Sequence, residues 1–123
     1  MASIIITVAD ITFEAELNHS LTAGKVFELL PIEGRANVWG DEIYFDIALN
    51  LEMEADARAE VNIGELGYWP AGPAFCIFYG PTPVSTDEKP RAYSPVNVFG
   101  RITGDATRLK GVAHGAKVRV TKA

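Results

Sequence analysis

The chain predicts an all-β (mainly β) fold, an antiparallel sheet curled into a barrel with one short α-helix, and three observations predict it. Apolar and polar residues alternate at period two in many short runs. Glycines and prolines separate those runs, most densely between Gly64 and Pro83. Only one stretch, around residues 20–31, shows a helical period. A sheet that curls on itself also removes its exposed edges, which favours closure for a chain of many short strands.

The elements follow in order. Ile4 to Val8 is β-branched throughout, and Ile11, Phe13, Ala15 and Leu17 alternate with Thr12, Glu14, Glu16 and Asn18, which reads as a hairpin with one wet face. Ala23, Val26, Phe27 and Leu30 then fall at helical spacing, with Ser20 or Thr22 able to cap the first turn and Pro31 stopping the element. Gly24 costs such a helix about 1 kcal/mol relative to alanine, so its stability must come from packing on strands. From Trp39 the strand code returns, with Ile43, Phe45, Ile47, Leu49, Leu51 and Met53 on one face and Tyr44, Asp46, Asn50, Glu52 and Glu54 on the other. So long a strand must bend, and Ala48 to Asn50 is the place expected for it.

Residues 56–60 are polar and read as a loop or short turn. Tyr68-Trp69 and Phe75 to Tyr79 read as short buried strands on either side of a Gly- and Pro-rich turn, and residues 85–90 as an exposed loop. Val96, Val98 and Ile102 resume a strand in which Gly100 marks a bulge or a close backbone approach. Leu109 and Val112 fit a helical turn, and Val118 and Val120 are expected to form an edge strand at the end of the chain.

The totals bound the function. The 123 residues fit a single domain, 1–123, able to bury roughly two thirds of its unfolded surface. With 48% hydrophobic and 22% charged residues the composition is that of an ordinary globular domain, so wholesale disorder is excluded. A net charge of −5 with scattered Lys and Arg argues against a nucleic-acid partner. No run reaches the length of a membrane span, and the N-terminus lacks the pattern of a signal peptide, so a cytoplasmic protein without a membrane partner is expected. Cys76 is the sole cysteine, in an apolar run without a basic neighbour, and reads as an inert core thiol.

Few residue patterns carry chemistry. His19 and His114 stand in no metal-binding spacing, so no metal is expected, and neither a GxSxG serine nor a P-loop lysine is present. Asp41 and Glu42 are adjacent and on a strand would point to opposite faces, so they are no catalytic dyad; Asp41 reads as a turn residue. Glu42 follows Trp39-Gly40 and shares a face with Tyr44, and reads equally as a site carboxylate bordering an aromatic patch or as a surface one. Phe45, Phe75 and Phe99 are assigned to the core, and Trp39, Tyr44, Tyr68 and Trp69, which carry polar tips, to a pocket.

Several segments together resemble a known family. Leu30-Pro31, Trp39-Gly40-Asp41-Glu42-Ile43-Tyr44, Gly67-Tyr68-Trp69-Pro70, Phe78-Tyr79-Gly80-Pro81-Thr82-Pro83 and Pro95-Val96-Asn97-Val98-Phe99-Gly100 are similar to the small prokaryotic cyclophilin-like proteins, the atypical cyclophilin-fold family of Thermotoga type. The resemblance runs nearly end to end. It implies a closed β-barrel of about eight strands with a short helix, no metal or cofactor, and no established activity. A fainter similarity reaches the true cyclophilins, which are peptidyl-prolyl isomerases: Leu21-Thr22-Ala23-Gly24-Lys25-Val26-Phe27 resembles their Thr-Ala-x-x-Phe helix start and Val98-Phe99-Gly100-Arg101 their Val-Phe-Gly-Lys strand. Their Phe-x-Arg catalytic segment and Gln-Gly-Gly-Asp strand have no counterpart, and Val96 or Asn97 stands where their histidine would be.

The expected function is therefore a binding module that takes a small molecule or peptide segment in a groove lined by Trp39, Glu42, Tyr44, Tyr68, Trp69, Thr82 and Asn97. Trp39 to Tyr44, Gly64 to Pro83 and Pro95 to Gly100 would form its walls. One alternative is a peptidyl-prolyl isomerase acting on a proline-containing peptide. Arg91 or Asn97 would donate to the proline nitrogen, and Trp39, Tyr68 and Phe78 would hold the ring, against an amide barrier of roughly 20 kcal/mol. The other alternative is a homo-oligomer whose aromatic surface is its interface.

Overall fold

A computed structural model describes residues 2–123. The elements are β1 (Ser3–Val8), β2 (Ile11–Leu17), α1 (Leu21–Leu29), β3 (Ile32–Arg35), β4 (Asn37–Trp39), β5 (Glu42–Asp46), β6 (Arg58–Glu60), β7 (Glu65–Trp69), β8 (Ala74–Phe78), β9 (Arg91–Ile102), a 3-10 turn at Ala106–Leu109 and β10 (Lys117–Lys122). The fold is mainly β, with one α-helix and antiparallel pairing between the strands.

Local pattern accounts for the first elements. Ile4, Ile6 and Val8 on β1 and Phe13, Ala15 and Leu17 on β2 share the buried face, as their period-two spacing requires. The Ser20 side chain caps α1 by accepting the Ala23 N–H at 3.1 Å, one of the donors that a helix start leaves without a partner. Burial of Ala23 and Val26 and partial burial of Phe27 hold the helix on the sheet. Full burial of a side chain such as Val26 is worth about 2 kcal/mol, more than Gly24 costs.

The hydrogen-bonded order is β3-β10-β1-β2-β9-β7-β8-β5-β4, with β6 attached to β9. The expected closed barrel of about eight strands is not what forms: the sheet has ten strands and is not closed. The ladder ends on β3 and β4, which are consecutive pieces of one segment. Residues 32–35 pair with β10 and residues 37–39 with β5, so the segment changes partner at Ala36. There the backbone bonds a loop instead, with Ala36 N–H donating to Ala116 and Gly115 N–H donating to Ala36.

Three further expectations need correction. β10 is not an edge strand, because β1 and β3 flank it on both sides. Residues 58–60 form the short strand β6. The long alternating run from Trp39 to Met53 is interrupted at once by the turn at Gly40-Asp41 and is then a strand only over β5, Glu42–Asp46. Beyond it, backbone groups are satisfied by side chains: the Tyr68 hydroxyl donates to Leu49 O and accepts Leu51 N–H, and Asn97 accepts Glu54 N–H while its amide donates to Glu52 O and Thr22 Oγ1.

The sheet buries apolar residues on both sides. The main core gathers Ile4, Ile6, Phe13, Val26, Phe45, Leu66, Tyr68, Phe75, Phe99 and Val120 among others. A second, smaller cluster lies on the opposite face of β5, β8, β7 and β9, where Val61, Ala74, Cys76, Phe78, Ala92 and Val96 are buried. β8 is therefore covered on both faces, which is why Ala74 to Phe78 reads as an uninterrupted apolar run.

Candidate functional site

The second cluster forms the floor of a cavity of about 310 Å³ lined by Trp39, Glu42, Tyr44, Trp69, Val84, Ala92, Tyr93 and Val96. Register explains the assembly. Across the ladders Trp39 faces Glu42 and Glu42 faces Phe78, while Tyr44 faces Cys76, and Trp69 faces Ala74. Directly opposed residues share a face, so these side chains project to the same side. Gly67 continues the row between Cys76 and Val98. A Cβ there would stand 2.7 Å from Val96 Cγ2, so glycine is what lets Val96 settle into the floor. The turn that joins β4 to β5 needs Gly40 at φ +59, where a Cβ would also lie 2.8 Å from Thr82 Cα.

Glu42 is the cavity's one acidic group. It is 5% exposed, and its Oε1 has no hydrogen-bond partner among the described residues. Among the described residues no Lys or Arg forms a salt bridge with it. Burial pushes its carboxyl up to about 7 from the ordinary 4.5, with the neighbouring Cys76 thiol acting in the opposite direction. Burial and the Glu42 charge together push the Cys76 thiol well above its ordinary value, which keeps it protonated and unreactive. The phenol of Tyr79 is raised to about 12, by burial and then by the charges of Asp41 and Glu42. Asp41 itself turns toward Lys110, 3.8 Å away.

Three rings form adjoining walls. Tyr93 stands nearly perpendicular to Trp39 (centroids 6.4 Å, 71°) and to Trp69 (6.3 Å, 82°). Trp69 is fixed by donation from Nε1 to Ser94 Oγ at 2.6 Å. Tyr93 is 75% exposed and forms the rim.

Of the residues expected in the groove, Trp39, Glu42, Tyr44 and Trp69 come together at this cavity. Phe78 is fully buried beneath it in the same cluster. Tyr68 and Asn97 lie on the other side of the sheet, since they face each other across β7 and β9 one residue out of step with Trp69 and Val98. Both hold the segment after β5 rather than the cavity wall. Thr82 is buried and donates to Arg91 O while its N–H donates to Ser85 Oγ, which ties the 82–91 loop down and brings Val84 to the rim. Arg91 points to the surface and pairs with Glu60 at 3.8 Å.

Sequence reasoning missed Val84, Ala92 and Tyr93, and placed Val96 in a wall segment without singling it out as a lining residue. The third wall is residues 92–96, which overlaps the expected Pro95 to Gly100 only at Pro95 and Val96, because β9 begins five residues before Val96. Its register against β6 shifts between Arg58↔Val96 and Glu60↔Arg91, and the bulge includes Pro95, which cannot donate to a ladder. The spacing of Ala92, Ser94, Val96 and Val98 was the available signal.

Comparison with known proteins points one way. The family model described as cyclophilin-like matches residues 2–121. A hypothetical protein from Archaeoglobus fulgidus, determined in solution, is 38% identical, with 99% of this chain and 95% of that chain covered and a TM-score of 0.82. No curated protein matches the chain.

Proposed function

The chain belongs to the cyclophilin-like family, and on that premise we propose that it is a binding protein whose outer-face cavity takes a small molecule or a side chain of a peptide. A fold of this kind hosts no single function, so the reading rests on the site. The observation that carries it is the pairing of an aromatic cavity with one buried, unpartnered acceptor, Glu42 Oε1. A volume of about 310 Å³ is of the size that holds small ligands, and such pockets combine apolar walls with a few convergent polar groups. A buried polar atom without a partner is rare, and a ligand donor would satisfy it. The donors that proline isomerisation would require are engaged elsewhere, Asn97 with Thr22 and Glu52 and Arg91 with Glu60.

The experiment uses the protein's own reporters. Trp39 and Trp69 are its two tryptophans and both line the cavity, so intrinsic fluorescence reads occupancy directly. A fragment library should yield compounds that shift the emission saturably and raise the melting temperature. Ala92→Leu, which fills the cavity, should abolish both effects in a protein that still melts cooperatively. A library that leaves the emission and the melting temperature unmoved would contradict the reading.

A further inference from the structure

We infer that the ligand of this cavity carries a compact organic cation, an alkylated or quaternary ammonium group, held between the faces of Trp39, Trp69 and Tyr93 with the Glu42 carboxylate as its counter-charge. This deepens the reading above and rests on it.

Ring faces carry negative quadrupolar potential, and tryptophan is the most effective of them, with the cation within about 6 Å of the ring centroid. Here Tyr93 meets each of the two indoles near a right angle instead of stacking on it, and all three rings line the cavity. Tyr44 adds a fourth aromatic side chain to the lining. Glu42 is buried without a salt-bridge partner, and its Oε1 accepts nothing. The titratable groups around it, Tyr44 on its own strand, Cys76 on β8, Tyr93 on β9 and Tyr79 beyond β8, supply no positive charge. The nearby basic side chains are occupied, Lys110 with Asp41 and Arg91 with Glu60. A cation entering the cavity would thus find a low-dielectric site in which an unpaired carboxylate awaits neutralisation. An anion would meet repulsion, and a neutral ligand would gain nothing from the ionised form of Glu42, which would take up a proton instead. An alkylated ammonium suits the site better than a primary one, because it is weakly hydrated, packs its alkyl groups on the rings, and leaves a single N–H or a neighbouring hydroxyl to donate to Glu42 Oε1, whereas a primary ammonium would bring three donors to that one acceptor. The net charge of −5 adds long-range attraction for cations.

The test compares choline with its neutral carbon isostere, 3,3-dimethyl-1-butanol, by titration against the wild-type protein. The two indole N–H resonances and tryptophan emission are the readouts. Choline is expected to bind at least about tenfold more tightly than the isostere. Because an empty-site Glu42 takes up a proton near pH 7, choline affinity should fall at least about tenfold from pH 8 to pH 5.5, and Glu42→Gln should weaken choline binding and flatten that dependence. An acetylated trimethyl-lysine amide serves as the second cationic probe. Preference for it over choline assigns the cation to a peptide side chain, and preference for choline assigns it to a free small molecule; both support the inference. If the neutral isostere binds as well as choline and perturbs both indoles, the cation is overturned while the cavity reading stands. If none of the three probes binds, the cation is overturned too, and the cavity reading is then judged by the fragment screen alone.

Discussion

Glu42 shows how a strand's register can impose a cost on one residue. Its place opposite Phe78 and beside Trp39 puts a carboxylate over an apolar floor, where the charged form is disfavoured. The folded-state pKa, about 7, lies above the ordinary 4.5. Between those values the folded protein holds a proton that the unfolded chain has released. Stability therefore falls as pH rises through that window, and above it the penalty is complete, at up to about 3 kcal/mol. Glu42→Gln should remove this term. Chemical denaturation should find the variant more stable than wild type at pH 8 by up to about 3 kcal/mol and nearly equal to it at pH 4.5. An equal difference at both pH values would mean that Glu42 does not titrate in this window. The residue types here were legible in the sequence, because Trp39, Glu42 and Tyr44 lie within one short alternating run. The missing partner for Oε1 was not, since it depends on which basic side chains other elements bring near.

At the scale of elements, local period was a sound guide where local pairing decides, as in β1, β2 and α1. It failed over residues 47–54. Ile47, Leu49 and Leu51 alternate as a strand would, and Ile47 is buried, but no neighbouring strand offers its backbone a ladder. Ile47 N–H donates to Pro73 O, and beyond it Tyr68 and Asn97 supply the hydrogen bonds. The alternation records burial, not pairing. Asn97→Ala would leave Glu54 N–H and Glu52 O without their partner, at an expected cost of about 2 kcal/mol. Amide hydrogen exchange should then accelerate in residues 50–57 and stay near wild type in β1 and β2. Uniform acceleration across the sheet would show that Asn97 supports the whole fold instead. Tyr93 escaped sequence reasoning for a related reason: it lies in the part of β9, between Arg91 and Val96, where the register against β6 shifts, and such a shift is set by two strands distant in sequence.

Over the whole molecule, the sheet's two covered faces do different work. The main core collects most of the large apolar side chains and stabilises the fold. The smaller outer cluster supports the cavity. An antiparallel, mainly β architecture with one helix was readable from alternation and punctuation. The change of partner at Ala36 was not, because residues 32–35 pair with β10 and residues 37–39 with β5, strands distant in sequence, and no local pattern marks where one pairing gives way to the other. Among the described residues no helix is long and apolar enough to cross a membrane. The central claim is that the outer-face cavity is where a ligand sits. The most direct measurement is a crystal structure of the protein soaked with the tightest-binding probe. The predicted result is density bounded by Trp39, Trp69 and Tyr93 with its polar or charged atom toward Glu42 Oε1. Density confined to another surface, such as the groove between Glu16 and Arg101, with this cavity unchanged, would contradict it.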